Sequence, residues 1–427
     1  MSTIPKKILL WNPISGHGHL DMYLDLYITE LKKQKYDIFC LTEMAEISRN
    51  ELLSKHPEVI FVENLQFTSK PPKRHSPRWI ILVLKNLSKR YFDLLLARLL
   101  RILQFLAINF ELQRGVNFDF LVRHLLSLKK QNISLDLIIC MYLDYTFLTA
   151  RTSRKLDHLE MPWVGLYFHP PKSNEKNLVA RSKFQLSKSN KGFIFFTQSN
   201  MEHFESKVRE DQICMVLPDI TQTETSQTSD NYPDLRVLAA GRKIVGMIGA
   251  VDGEKKLPEV FIRVSKEFDM AEYFFVLIGE FYWSTIKNLS ISENDIKGGY
   301  LKNNLFILDE YIKSDQEYNY LFSSCDLIFA CYKNFEGSAN TLAKSSFFQK
   351  PIIVNTESSL ATVVNEYDLG VSISPVNIAT VKKAIVSLSK KRDVDSGTYN
   401  FEKYSTMTSF TAFSNSLRSY LDLVLKN

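Results

Sequence analysis

Apolar runs of four to eight residues alternate along the chain with amphipathic stretches about twice as long, from Lys7 almost to the C-terminus. Short runs bounded by polar turns read as buried strands, and the longer periodic stretches between them read as helices. In order, the strands are Lys7–Trp11, YDIFCLT (36–42), LDLIICMY (135–142), WVGLYFH (163–169), GFIFFTQS (192–199) and ICMVLPDI (213–220). A second series follows: KIVGMIGAV (243–251), YFFVLIG (273–279), LFILDEYI (305–312), LIFACY (327–332) and IIVN (352–355). Strand and helix in alternation predict parallel sheets covered on both faces. Behind Asp144, the weakly periodic stretch Tyr145–Leu156 is expected to be a crossover helix, and the helix after the loop at Glu336 is expected to run about three turns.

Length divides this pattern in two. A chain of 427 residues is too long for one common core, and two domains of roughly 200 residues are expected. The stretch TQTETSQTSDNYPD (221–234) is polar and lacks a hydrophobic period, which marks a linker. The expected division is 1–220, a linker at 221–241, 242–400, and a final helix in 401–427 that returns to the first domain.

Composition adds limits. Hydrophobic content of 45% and charge of 23% describe a soluble globular protein, and a net charge of +6 does not imply uniform nucleic-acid binding. Five cysteines, an odd number, are scattered at 40, 140, 214, 325 and 331, and four of them lie in or beside apolar runs. They read as reduced core residues of a cytoplasmic protein. The N-terminal apolar run is interrupted too soon by Asn12 and Pro13 for a signal peptide, and no run is long enough for a membrane span. Charge clusters only at 70–101, which holds nine Lys or Arg against Asp93 alone. This basic helical segment, placed at 70–110, is either a docking surface for an anionic membrane or a hairpin with a solvated basic side.

Candidate chemistry lies at the carboxyl ends of the strands, where open parallel sheets bind ligands. Lys7–Trp11 runs into a loop in which Gly16 and Gly18 alternate with His17 and His19. Its spacing is not that of a dinucleotide fingerprint. The loop places two imidazoles beside flexible backbone, suited to taking a proton or holding a phosphate, or simply to capping the loop. Asp144 and His169 end two further strands, and all eight histidines lie at or before position 203. In the second half, Gly249 ends a strand and Lys255 and Lys256 precede a helix, placed either to neutralise a diphosphate or to be solvated. Glu336, Gly337 and Ser338 form an acidic loop before a helix, with Ser338 as its N-cap. That helix start is suited to a phosphate; the alternative is an ordinary turn with a surface glutamate.

The order of these pieces resembles glycosyltransferases of the GT-B fold, over most of the chain, and in particular the retaining family four. The similar segments are ILLWNPISGHGHLDMY, WVGLYFHP, FFTQS with LPDI, GAVDGEKKL, LFILDEYIKSDQEYNYLFSSCDLIF and FEGSANTLAKSSFFQKPIIV. The resemblance implies two Rossmann-like doubly wound α/β domains facing across a cleft, which close over a nucleotide sugar. Lys255 and the helix start at Ser338 and Ala339 would hold the diphosphate, approached by the backbone of Gly16, Gly249 and Gly337. Glu336 would contact the sugar ring, and Glu310 and Tyr311 would flank the base. His169 with His17, or His19, and Asp144 would face a saccharide or lipid-linked acceptor. No metal or other cofactor is expected, since lysine and helix dipole neutralise the leaving group. The chain departs from the family pattern at Lys344, where a second glutamate is usual, at Glu254 and Lys256 in place of arginine and glycine, and at Pro170 after His169. Pro13, Gly16 and His17 are also similar to the opening loop of inverting GT-B enzymes, and a non-catalytic GT-B-like binding protein is a third reading.

Overall fold

The computed structural model describes residues 5–14, 19–42, 46–62, 116–168, 182, 184–228, 231–287, 289–297, 299–312, 314–333, 335, 340–394 and 399–426. Two compact units account for the chain: 1–195 with 200–215 and 422–427, and 196–199 with 216–421.

The first unit is built on a seven-stranded sheet: β1 (Lys7–Asn12), β2 (Asp37–Thr42), β3 (Ile60–Phe61), β4 (Leu137–Cys140), β5 (Trp163–Tyr167), β6 (Asn190–Phe195) and β7 (Ile213–Val216). Their spatial order is β3-β2-β1-β4-β5-β6-β7. β1 is parallel to both neighbours, with Ile8 opposite Ile38 on β2 and Leu137 on β4. Strands buried on both faces need continuous apolar runs, and Ile8, Leu9, Leu10 and Trp11 are all fully buried. Behind them Phe118 meets Trp11 edge to face at 4.6 Å and tilts against Trp163 at 5.4 Å, filling the space beneath the helices.

The second unit repeats the plan with β8 (Lys243–Ile248), β9 (Tyr273–Gly279), β10 (Tyr300–Lys302), β11 (Leu305–Asp309), β12 (Leu327–Phe329), β13 (Ile352–Asn355) and β14 (Gly370–Ile373). Their order is β10-β11-β9-β8-β12-β13-β14, and β10 is an antiparallel edge strand paired to β11. Phe261, on the helix Pro258–Ser265, packs at 5.5 Å against both Phe275 of β9 and Phe329 of β12. In each sheet the chain winds outward in both directions from one strand. The switch points therefore lie between β1 and β4 and between β8 and β12.

Several elements differ from expectation. Asp144 itself lies in a 3₁₀ turn (Leu143–Tyr145), Thr146–Phe147 then pairs with Val116–Asn117, and the helix begins only at Ala150. Thr149 sets that start, its hydroxyl accepting the Thr152 N–H at 3.2 Å. The helix after the acidic loop is described over Asn340–Phe347, and its expected start at Ser338 lies outside the described residues. Gln349 takes a left-handed φ of 54° and Pro351 follows, which ends it. The five cysteines are free, four of them buried and Cys214 half-buried. Among the described residues no helix is long and apolar enough to cross a membrane. The segment 70–101 lies outside the described residues.

Candidate functional site

The switch point of the second unit gathers four loops. The first leaves β8 at Gly249, where the chain bends sharply and touches Val251 to Phe281. Asp252 then organises a turn: its carboxylate accepts the Glu254 N–H at 2.9 Å and its carbonyl accepts those of Lys255 and Lys256 at 3.1 and 2.7 Å. The loop after β12 is tied to this turn, because the Lys333 N–H donates to the Lys255 carbonyl at 2.7 Å and its ammonium to the Gly253 carbonyl at 2.9 Å. At the end of β11, Asp309 fixes the loop after β9 by accepting from the Phe281 N–H at 2.9 Å and the Trp283 indole at 2.7 Å.

This packing separates two adjacent lysines. Lys255 has a side chain 74% exposed, and its ammonium stands 4.0 Å from Asp252. Lys256 is half-buried, and its ammonium lies 5.7 Å from the centre of the Tyr332 ring at the exit of β12. Desolvation pushes Lys256 down to about 8, only partly opposed by the negative charge of Asp252. Among the described residues, no carboxylate comes within ion-pair reach of it. Sequence reasoning favoured Lys255 on motif alignment; only the direction of the turn made by Asp252 distinguishes the two.

Further in, a second cluster continues from the same ring. The Tyr332 hydroxyl meets that of Thr341 at 3.0 Å, and the Tyr332 N–H donates to the Asn355 side chain at 3.1 Å. Tyr318 donates its hydroxyl to the Ile248 carbonyl at 3.3 Å, and its ring covers Gly249, where an added Cβ would lie 3.2 Å from the phenolic oxygen. Lys344 is only 2% exposed, lies 5.1 Å from the Tyr318 ring centre, and donates to the side-chain oxygen of Asn319 and to the Gln222 carbonyl. Burial pushes it down to about 8 as well, partly opposed by Asp315. Glu310 is exposed and Tyr311 half-buried, both at the exit of β11. Glu336, Gly337, Ser338 and Ala339 lie outside the described residues, between Phe335 and the helix that carries Thr341 and Lys344.

In the first unit, the residues at the switch point are Asn12 on β1, Tyr142 beyond β4 and Phe168 beyond β5. Asp144 is half-buried and accepts the Phe168 N–H at 3.0 Å, which holds the end of β5 one residue before His169. Tyr142 stacks on Phe168 at 4.9 Å, and Tyr23 meets it edge to face at 5.1 Å. Asn12 is fully buried, and neither of its amide atoms has a hydrogen-bond partner among the described residues. Orphaned polar atoms of this type are what a ligand or ordered water satisfies, and sequence reading gave Asn12 only the role of ending a strand. Gly16, His17 and His169 lie outside the described residues, as does the side chain of His19, whose backbone opens the helix His19–Lys33. Among the described residues, no group of His, Cys, Asp and Glu is arranged to hold a metal ion.

No protein-family model matches this sequence, and no curated protein matches it by sequence. Solved structures do. HepE from Anabaena, crystallised with UDP and glucose, is 13% identical, with a TM-score of 0.60 over 98% of this chain and 99% of its own. Sucrose-phosphate synthase from Thermosynechococcus elongatus is 12% identical, with a TM-score of 0.59 over 99% of this chain and 100% of its own. WaaG, a glycosyltransferase involved in lipopolysaccharide biosynthesis, is 10% identical, with a TM-score of 0.52 over 98% and 99%. At these identities the likeness shows the fold: this chain has the GT-B fold, with two α/β units each on a seven-stranded sheet.

Proposed function

We propose that this GT-B chain is a glycosyltransferase that moves a sugar from a nucleotide-sugar donor to a saccharide or lipid-linked acceptor, with the donor held by the second unit. The observation that carries this reading is Lys256, a desolvated ammonium without a carboxylate partner among the described residues, at the switch point of that unit. A desolvated cation that Asp252 compensates only in part is costly, and a diphosphate at the carboxyl ends of β8 and β12 would relieve that cost. UDP in the HepE crystals, and UDP-2-fluoro glucose in an E. coli relative 11% identical, agree with a donor of this class.

Glycosyl transfer places growing negative charge on the leaving diphosphate and positive character on the sugar. In this reading Lys256 takes the first charge, with Lys255 at the rim, and Ser338 and Ala339, just before the helix Asn340–Phe347, are further candidate ligands. Gly249 and Gly337 let backbone approach, Glu310 and Tyr311 flank the base, and Glu336 faces the sugar. No metal takes part in this scheme. On the first unit, Asp144 holds the strand end that precedes His169 in the chain, and His17 and His19 belong to the stretch that follows Asn12. We assign retention of configuration on the acidic loop at Glu336; the anomer of the product, read by NMR, decides it. The basic segment 70–101 is the docking surface of a protein working at the cytoplasmic face of a membrane.

Calorimetry against UDP, GDP and ADP tests the donor reading, which fails if none of them binds. Its pH dependence has a definite sign. Lys256 and Lys344 are held at about 8, below the usual lysine value of about 10.5. Diphosphate affinity is then complete below pH 8 and falls above it, by at most about tenfold per pH unit for one lysine. Stability moves the other way: between about 8 and 10.5 the unfolded chain binds more protons, so the folded protein gains stability as pH rises. Glu336→Ala is expected to reduce transfer by about 10²-fold or more with donor binding largely kept, as for loss of a group acting on transition-state charge. Undiminished turnover would remove Glu336 from the mechanism.

A further inference from the structure

The segment on which the chain enters the second unit, TQTETSQT (221–228), offers no apolar side chain for packing, and its order rests on hydrogen bonds. Two buried residues supply them. Asn319, fully buried, donates to the Gln222 carbonyl at 3.0 Å and the Glu224 carbonyl at 2.6 Å. Lys344 donates to the same Gln222 carbonyl at 3.0 Å and to the Asn319 side-chain oxygen. The helix Asp315–Ser323 adds outer contacts, as the Gln316 carbonyl accepts the Ser226 N–H at 3.4 Å and its side chain donates to Glu224 at 3.3 Å.

A buried ammonium with only neutral acceptors is an expensive way to fill space, since an apolar residue of similar volume would avoid its desolvation. What the ammonium supplies is direction. Lys344 sits one turn after Thr341 on the helix Asn340–Phe347, and residues three apart share a face. On that face, Thr341 meets Tyr332, whose ring lies under Lys256, and Lys344 meets Asn319 and Gln222. Tyr318, packed on Gly249, lies beside Lys344. The helix that follows the acidic loop is therefore bonded to the donor crevice at one end and to the entering segment one turn later.

We propose that Lys344 is a positioning residue: with Asn319 it clamps residues 222–224 onto the helix that bounds the donor crevice, so that donor binding and the order of the entering segment rise together. This rests on the donor reading above. The clamp requires donors at 344 and 319 and predicts that a ligand at Lys256, over the Tyr332 ring to which Thr341 is bonded, steadies a segment it does not touch.

The test is cleavage of the full chain after exposed Glu224 by a glutamate-specific protease under native conditions, with and without saturating UDP. In the wild type, UDP slows this cleavage. Lys344→Met is expected to raise the rate about tenfold, consistent with loss of a charged hydrogen bond, to remove the protection by UDP, and to raise the donor KM more than it lowers kcat. Lys344→Arg is expected to restore wild-type cleavage and KM. Should Lys344→Met fail to fold, Asn319→Ala, which removes both of its bonds to the segment and leaves the ammonium only the Gln222 carbonyl, takes its place in the same measurement. Cleavage of the folded variant at the wild-type rate overturns the clamp. UDP that binds by calorimetry yet leaves wild-type cleavage unchanged overturns the coupling, whereas absence of UDP binding overturns the donor reading and the coupling together.

Discussion

Lys256→Ala is expected to weaken UDP binding by about 10- to 100-fold, the range for loss of one charged hydrogen-bond donor to a buried anion, and to lower kcat/KM for transfer further. The reason is the geometry at the exits of β8 and β12. Lys256 is the lysine that the Asp252 turn directs beside Tyr332, and its depressed pKa means that it enters the complex already partly desolvated. A phosphate that meets it strips little further water, so a large part of the Coulomb attraction is retained. Lys255→Ala is the internal comparison. Its exposed ammonium is screened by water and by Asp252, and its removal costs less than about fivefold, as expected of a surface charge contributing up to about 1 kcal/mol. Titration of both variants with UDP decides between them. Equal losses would mean that the diphosphate lies at the rim of the crevice instead of between its strands.

The second large effect concerns backbone. Gly279 ends β9 beside Gly249, and a Cβ on residue 279 would lie 2.2 Å from the Gly249 carbonyl oxygen and 2.5 Å from its carbon. Neither partner is a side chain that can swing away. The Gly249 N–H donates to the Ile278 carbonyl at 2.8 Å, and the Glu310 N–H donates to the Gly279 carbonyl at 3.2 Å, so three loops move if these backbones part. Gly279→Ala should therefore destabilise the protein by about 1–3 kcal/mol, the cost of overpacking a close contact. It should also weaken UDP binding, because Gly249 and the Asp252 turn that carries Lys256 are displaced together. Thermal denaturation and calorimetry measure the two effects separately. An unchanged melting temperature would show that β8 and β9 separate there without cost.

How much of this was legible in the sequence depends on what each feature answers to. Strands buried on both faces leave a signal in the residues themselves: YFFVLIG is β9 from end to end, and β2 departs from YDIFCLT by one residue. The order of such runs was enough to predict two doubly wound units, and the sheets have that form. Helix starts were less legible. Tyr145–Leu156 looked like one helix because its apolar spacing is weak, and the capping hydroxyl of Thr149 and a short pairing with Val116–Asn117 postponed the start to Ala150. The polar stretch 221–234 reads as an interdomain linker because it lacks a hydrophobic period, yet carbonyl oxygens need no side-chain signal to be bound. Asn319 and Lys344 hold it from about 95 to 122 residues away in sequence.

By itself, the sequence determined the two-unit α/β plan, the placing of candidate chemistry at strand exits, and the presence of two lysines and an acidic loop in the second half, because each depends on local composition and periodicity. Only the tertiary structure decided which lysine turns inward, what Lys344 binds in place of acting as a carboxylate, and that Asn12 carries a buried amide without a partner among the described residues. Those properties follow from desolvation and direction, which arise when segments distant in the chain are packed against one another.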